Sequence, residues 1–363
     1  MGSILPLVCK TQPMRAFLAL FQVVVWWATL IVGSKATATH DEVVVGTYNI
    51  RTASKWARND GGDERNGRTW RQRRKAVAKS IRISGASVVG TQEGLGWQLD
   101  SLLELLGPGW NRIGVGRYHG TRDSGGDEDE IAAIIYNTAI VKRIRAGDFW
   151  LSETPEVSSK GWGASLPRVA SWATFECGSR AFTVLNAHLD HASSEARGGA
   201  AALLRKRVAL LKESETPVVF TMGDFNAVKT EEWYSTLTAA PEEHGNDLPL
   251  VDTWGAANMR SCGACGQGTF HAWKGSDMSS PNWVRPFEGP GSQAIAHSGV
   301  RHIDAIFLNQ GALEAGAGEV RKAKMITDDK RRRSFGGPFA SDHYPVVITY
   351  RWAAGTGSSN QEL

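Results

Sequence analysis

The chain has 363 residues, of which 21% are charged and 42% hydrophobic. That balance excludes a disordered or collagen-like chain and suits a globular protein long enough to bury a large core without staples. The formal net charge is +4, and it falls to +1 once Lys10, Arg15 and Lys35 are set aside with the leader. Overall charge therefore selects no polyanionic partner, and only local patches can steer one.

The first 38 residues have the layout of a secretory signal peptide. Lys10 and Arg15 precede an apolar run over residues 16–32, and Ala36-Thr37-Ala38 places small residues at −3 and −1 of a cleavage site. The run is long for a signal peptide and Trp26-Trp27 is bulky, so an uncleaved anchor holding the protein to a membrane through residues 16–32 is the alternative. The expected location is secreted or the endomembrane lumen. Pro6 occupies the Ser/Thr position of a myristoylation motif, and no N-glycosylation sequon occurs.

The remainder, residues 40–352, reads as one domain followed by a disordered tail over 353–363. In chain order the pattern predicts a strand at 43–45, a polar loop at 55–68 and a basic amphipathic helix at 70–83 with Trp70, Val77 and Ile81 on one face. Next come a strand at 88–89, a helix at 97–106 ended by Gly107-Pro108-Gly109, and strands at 131–136, 169–175 and 182–185. Ser193 or Ser194 caps a helix running to residue 212, and a strand follows at 218–220. Residues 275–299 are rich in Gly, Pro and Ser and read as a long insertion, while Lys330-Arg331-Arg332-Arg333 sits in another loop. Cys9 leaves with the leader. Cys262 and Cys265 read as a small disulfide staple, because a zinc site needs a second ligand pair, and Cys177 is left unpaired. Strand–helix alternation with interspersed hairpins predicts two packed mixed β-sheets flanked by helices, an α/β/β/α sandwich.

Six polar clusters lie at the ends of these apolar runs: Tyr48-Asn49-Ile50-Arg51, Gln92-Glu93, Asn186 to His191, Gly223-Asp224-Phe225-Asn226, Ile303 to Phe307, and Ser341-Asp342-His343. Buried strands with polar ends gather such clusters along one edge of a sheet. Hydrolysing a phosphoester requires charge neutralisation at the phosphoryl oxygens, an activated water and a protonated leaving oxygen. Glu93 is the leading ligand for a hard divalent cation, Mg²⁺ or Mn²⁺, with Asn49 supplying a neutral oxygen beside it. Asp224 and Asn226, one residue apart, point the same way if the segment stays extended, and Phe225 between them faces the core. Arg168 precedes a strand and is placed to clamp a phosphate. Arg51, Asp190 and His191 complete the candidate substrate-binding set.

The order and wording of these clusters resemble the endonuclease/exonuclease/phosphatase superfamily over residues 43–350. Gly90-Thr91-Gln92-Glu93, the 148–155 string Asp-Phe-Trp-Leu-Ser-Glu-Thr-Pro, Pro167-Arg168, His188-Leu189-Asp190-His191 and Gly268-Thr269-Phe270-His271 resemble an uncharacterised hydrolase subgroup. The resemblance implies that Asp224 orients or deprotonates water. It also implies two imidazole–carboxylate dyads, His188 with Glu130 and His343 with Asp304, and a metal-facing Asp342 able to bind a second ion. It further implies a Mg²⁺-dependent phosphodiesterase or nuclease-like enzyme acting on nucleic acid or a small phosphodiester. A phosphatase or sphingomyelinase-like phospholipase is the alternative, then a cytosolic deadenylase-like exonuclease if the leader is unused. An inactive binding module is disfavoured, since each position needed for chemistry holds a competent side chain.

Overall fold

In the computed structural model, residues 41–122, 128–240, 249–258, 268–273, 302–314, 316–327 and 339–354 are described. The leader, Cys262 and Cys265, the 275–299 segment, the 330–333 basic run and the tail beyond 354 lie outside them. The apolar runs become strands as expected. β1 (Glu42–Asn49), β2 (Val88–Gly94), β3 (Trp110–Ile113) and β4 (Ile131–Asn137) join β11 (Gly318–Met325) and β12 (Val346–Trp352) in one sheet, ordered β11-β12-β1-β2-β4-β3. β5 (Lys142–Trp150), β6 (Val169–Cys177), β7 (Arg180–His188), β8 (Val219–Asp224), β9 (Leu250–Asp252) and β10 (Asp304–Asn309) form the second, ordered β5-β6-β7-β8-β10-β9. Both sheets are mixed. β1–β2 and β7–β8 are parallel, because a helix crosses between the partners of each pair, and the other pairings are antiparallel.

Three apolar layers hold the sandwich. Val45, Val88 and Ile134 of the first sheet meet Phe182, Phe220 and Ile306 of the second. Outside the first sheet, α2 (Trp70–Ser84) and α3 (Gly96–Leu106) bury Val77, Ile81, Leu99 and Leu102 against Val89 and Ile135. Outside the second, α4 (Ser194–Ser214) and α5 (Glu232–Thr238) bury Ala201, Leu204, Trp233 and Leu237. The expected face of α2 is the buried one, and Gly85 ends that helix in the left-handed conformation at φ 73°. Ser193 is the cap of α4, its hydroxyl accepting from Ala196 N–H at 3.0 Å. The expected 55–68 loop contains a short helix, α1 (Lys55–Asn59), started by Ser54 accepting from Ala57 N–H. A further short helix, α6 (Thr253–Asn258), follows β9. Cys177 is free and buried. Among the described residues, no helix is long and apolar enough to cross a membrane.

A polar staple crosses the sheet interface below the strand ends. The Asn186 amide on β7 donates to the carbonyls of Thr91 (3.0 Å) and Ala133 (2.9 Å) in the opposite sheet, and its oxygen accepts from Gln92 Nε2 at 2.7 Å. Gly90 permits this approach, since a Cβ there would meet Asn186 Oδ1 at 2.6 Å. Truncation would remove three buried hydrogen bonds, although the Ala133 carbonyl keeps Thr91 Oγ1 and the Gln92 amide keeps Thr47 Oγ1. Asn186→Ala is expected to cost about 2–3 kcal/mol of unfolding free energy in urea denaturation; a change within error would show that the staple carries no stability.

Candidate active site

The strands deliver polar residues to one edge of both sheets. Asn49 is the last residue of β1, His188 of β7 and Asp224 of β8. β10 runs antiparallel to β8, so its first residue, Asp304, lies opposite Asp224, while His188 lies opposite Asp224 on the other side. Glu93 sits where the β2–β4 register shifts between Thr91 and Gly94, a bulge that re-aims its side chain. Three non-glycine residues here take left-handed backbone: Arg51 (φ 58°), Glu93 (φ 64°) and Asn226 (φ 54°). Such conformations cost of order 1 kcal/mol each and cluster where side chains must leave a regular element at a set angle.

Asp224 is the centre of the arrangement. Its Oδ2 lies 3.7 Å from His188 Nε2 and 3.7 Å from His343 Nε2, and accepts from Asn49 Nδ2 at 2.9 Å. The same Asn49 amide donates to Glu93 Oε1 at 2.8 Å, joining carboxylates of different sheets. His343 Nδ1 pairs with Asp304 Oδ2 at 2.8 Å, the expected second dyad. Thr269, from the Gly268–His271 string, accepts the N–H groups of Ile303 and Asp304 through its hydroxyl, each at 3.0 Å, and the Phe270 ring lies 4.9 Å from that of His343. Two groups bring ligand atoms within 4.8 Å of one another: Glu93, His188 and Asp224, and Asp224, Asp304 and His343. Carboxylate oxygens beside one imidazole can hold a metal ion, and His188 stays neutral where His343 keeps its proton, so the first group fits one better.

Burial and neighbouring charge give these groups distinct states. Burial, reinforced by Asp304, pushes the Asp224 carboxyl up to about 7. Burial opposes the charge on His343, but Asp304 and Asp224 overcome it and push the ring up to about 10. His188 is held well below its ordinary value by burial and by Arg168. At Glu93 and Asp342 burial disfavours the anion, yet Arg51 wins and holds both carboxyls below the usual range.

Five expectations change. Glu130 does not pair with His188: it accepts from Arg117 Nη1 at 2.7 Å, and His188 Nε2 meets the Asn226 amide at 2.8 Å. Burial, outweighing Arg117, raises the Glu130 carboxyl. The Asp224–Asn226 segment is not extended, because Asn226 N–H turns back onto Asp224 Oδ1 at 2.8 Å, although Phe225 faces the core as expected and stacks on Trp233. The Asn49 oxygen is taken by Arg51 N–H at 2.9 Å, so its amide faces the carboxylates as a donor and not as a metal-ligand oxygen. Asp190 is consumed structurally, accepting from Ser165 N and Oγ and from the N–H groups of Ala192 and Ser193, which fixes the start of α4. Asp342 faces Arg51, with Oδ2 3.9 Å from Nε, and lies outside both ligand groups. Arg51 also approaches Asp63 (3.5 Å) and Glu93 (3.9 Å), with its guanidinium 5.4 Å from the ring of Trp56. Arg168 reaches His191 Nδ1 at 3.0 Å.

Three positions escaped the sequence reading. Arg73 is fully buried on α2 and donates to the carbonyls of Ile50, Arg51 (2.6 Å) and Arg68 (3.0 Å). Asp63 lies in a stretch read only as loop, and Arg117 in a segment with no periodicity. A buried arginine on an amphipathic helix resembles any surface arginine in sequence, so no signal marked Arg73.

Residues 46–343 match the Endonuclease/Exonuclease/phosphatase family, and the chain belongs to that family of phosphoester-hydrolysing enzymes. Among solved structures it is similar to a family protein from Bacteroides thetaiotaomicron, with 29% identity, a TM-score of 0.64 and coverage of 86% of this chain and 98% of that one. A mannosyl-6-phosphatase of the same organism matches with 28% identity, a TM-score of 0.61 and coverage of 85% and 100%. The human Nocturnin catalytic domain shares the fold at 16% identity and a TM-score of 0.56, covering 87% of this chain and 95% of its own. No curated protein sequence matches the chain.

The raised His343 value makes a testable claim. Stability from its protonated ring is fully present below about pH 6.5, the unfolded value, and is lost as pH rises through about 10. Asp304→Asn is expected to move the His343 ring titration, followed by NMR, to distinctly lower pH; an unchanged titration would show that Asp304 is not what holds the proton.

Proposed function

We propose, on the premise of that family membership, that the protein is a divalent-metal-dependent phosphoester hydrolase. The observation that carries this reading is Asp224 Oδ2 placed 3.7 Å from two imidazoles and bridged through Asn49 to Glu93. Glu93 would hold Mg²⁺ or Mn²⁺ at a site that Asp224 and His188 also line, and the ion when bound neutralises phosphoryl oxygen and favours attack at phosphorus. Asp224, poised near neutrality, takes the proton of the attacking water. His343, kept protonated by Asp304, presents its Nε2 proton to a phosphoryl or leaving oxygen. His188 stays neutral and accepts a hydrogen bond from the Asn226 amide on Nε2, which fixes its tautomer and orients both side chains.

For the substrate we put a phosphomonoester of a sugar first, supported by the 28% likeness to a mannosyl-6-phosphatase. The phosphodiesterase or nuclease reading is second. It is favoured by the exposed indoles of Trp56 (51%) and Trp97 (44%), which flank Arg51 and Glu93 in sequence and offer faces on which a base can stack. The test is an activity panel on the purified protein with Mg²⁺, Mn²⁺ or EDTA, comparing mannose 6-phosphate, bis-p-nitrophenyl phosphate, DNA and RNA. Turnover of mannose 6-phosphate that EDTA abolishes is expected. Turnover of none of them with either ion would overturn the hydrolytic reading.

Two predictions follow from the assignment. Glu93→Gln keeps the shape but removes a ligand charge, so it should weaken Mn²⁺ binding in calorimetry and lower kcat/KM by about 100-fold or more, with the melting curve preserved. Wild-type metal affinity in that variant would remove Glu93 from the site. We also propose that the leader exports the chain, supported by Lys10, Arg15, the 16–32 run and Ala36-Thr37-Ala38. N-terminal sequencing of the mature protein is then expected to begin at Thr39; intact Met1 on a membrane-bound species would establish the anchor, and intact Met1 on a cytosolic one would overturn export.

A further inference from the structure

Beside the hydrolytic centre, one segment holds two buried arginines from different sheets. The 148–155 string supplies Trp150, whose Nε1 donates to the carbonyl of Arg117 at 2.7 Å, and Leu151, whose N–H donates to the carbonyl of Arg168 at 2.8 Å. Ser158 Oγ adds a second bond to the Arg117 carbonyl at 2.9 Å. Arg117 precedes β4 and Arg168 precedes β6, so this backbone network draws together residues distant in sequence. Their exposures are 6% and 5%. Two like charges taken out of water repel, and beyond burial itself the Arg117 charge is the leading influence lowering Arg168.

Their neutralisation is incomplete. Arg117 gives Nη1 to Glu130 and Nη2 to the Glu128 carbonyl at 3.3 Å. Arg168 gives Nη2 to His191, and its Nε lies 3.6 Å from Asp190, whose two oxygens already accept from Ser165, Ala192 and Ser193. The Nε of Arg117 and the Nε of Arg168 are both buried without a hydrogen-bond partner among the described residues. Buried charged donors are ordinarily satisfied, and an orphaned pair points to an acceptor supplied by a ligand. Two guanidinium forks match the geometry and charge of a phosphate dianion.

The place of the pair sets what it grips. Ser171 of β6 pairs with Asn186 of β7, and His188 of β7 with Asp224 of β8, so Arg168, His188 and Asp224 follow one another along the sheet edge. Neighbouring strands lie about 4.8 Å apart, which sets the arginine strand roughly 10 Å from that of Asp224. A phosphate gripped there need not be the one that meets Asp224, and the two can sit at opposite ends of a hexose. We propose that Arg117 and Arg168 form a second anion subsite that binds a non-reacting phosphate, so that the preferred substrates are sugar bisphosphates. The inference rests on the hydrolytic reading of the Asp224 centre.

The full chain, with Mg²⁺, is assayed on glucose 6-phosphate and glucose 1,6-bisphosphate. KM is expected to be about tenfold lower for the bisphosphate, the size of an added charge-assisted contact. Arg117→Gln should bring the ratio of the two KM values toward one. Glu130→Gln removes the anion that competes for Arg117 and should widen that ratio, a gain that a purely structural role for the Arg117–Glu130 pair would not produce. Equal KM values in the wild type, a ratio unchanged by Arg117→Gln, or a ratio narrowed by Glu130→Gln would each overturn the subsite. If neither compound is turned over, calorimetric titration of both in EDTA decides the subsite independently. Tighter binding of the bisphosphate, lost in Arg117→Gln, supports it, and equal binding of the two compounds sinks it, whatever becomes of the hydrolytic reading.

Discussion

The Asn49 amide donates to Glu93 in its own sheet and to Asp224 in the other, and the remaining geometry of the edge depends on that bridge. Five carboxylates, Asp63, Glu93, Asp224, Asp304 and Asp342, are brought to this edge, where burial alone would force several to take up protons. Cations are interleaved to prevent this. Arg51 sits among Asp63, Glu93 and Asp342, and His343 sits between Asp224 and Asp304. Arg73 lies beneath them with its guanidinium spent on backbone carbonyls, including those of Ile50, Arg51 and, at 3.4 Å, Ala340. It thereby ties the strand end that carries Arg51 to the segment that carries Asp342. Burial lowers its own value to about 10, a cost the fold meets with hydrogen bonds to neutral oxygens.

The backbone supports the same arrangement. Arg51, Glu93 and Asn226 each leave a strand end in the left-handed region, where a β-branched residue would be strained and glycine would be easiest. Each is held there by local bonds. Asn49 Oδ1 accepts from Arg51 N–H, Asp224 Oδ1 accepts from Asn226 N–H, and Glu93 Oε2 accepts from Thr52 N–H at 2.9 Å. The side chains that do the holding are themselves site residues. Removing one therefore alters the position of the next, so effects of substitutions within this group are not expected to add.

Much of this was legible in the sequence, for definable reasons. Apolar runs such as Val43–Val45 and Phe182–Leu185 are too short for helices and end in polar residues, so both the sheets and the edge could be read from them. Helix α2 announced its buried face through Trp70, Val77 and Ile81. The His343–Asp304 pair was reachable through the family resemblance of the two clusters that carry it. The partner of Glu130 was not, since its choice between His188 and Arg117 depends on a loop without periodicity. The extended reading of Asp224–Asn226 failed because asparagine tolerates a positive φ without requiring one, so the residue type alone did not settle the reversal at Asn226. The donor role of the Asn49 amide was hidden for a related reason: it depends on the N–H of Arg51, whose direction follows from a torsion angle and not from a residue type.

The two imidazoles at the centre show how position along the edge sets chemistry. His188 and His343 stand equally far from the same Asp224 oxygen, yet their environments drive them apart. His343 lies toward the acidic end, where Asp304 and Asp224 outweigh burial and keep the proton on the ring. His188 lies toward the arginine end, where burial, Arg168, Arg117 and the charge on His343 together expel the proton, and Glu93 pulls the other way. Identical side chains thus become a cationic donor and a neutral acceptor across one carboxylate. Divergent values in paired groups are the usual mark of assigned acid and base roles. Here the divergence comes from segregation along two sheet edges, with carboxylates gathered around β1, β8 and β10 and guanidinium groups before β4 and β6. A bisphosphate spanning that boundary would meet, in order, the acidic cluster suited to a cation, the neutral ring of His188 and the arginine pair. The dipolar layout of the edge follows from strand order, because β6, β7, β8 and β10 are consecutive neighbours and each contributes one charged or imidazole residue at its end, with Arg117 added from the loop before β4.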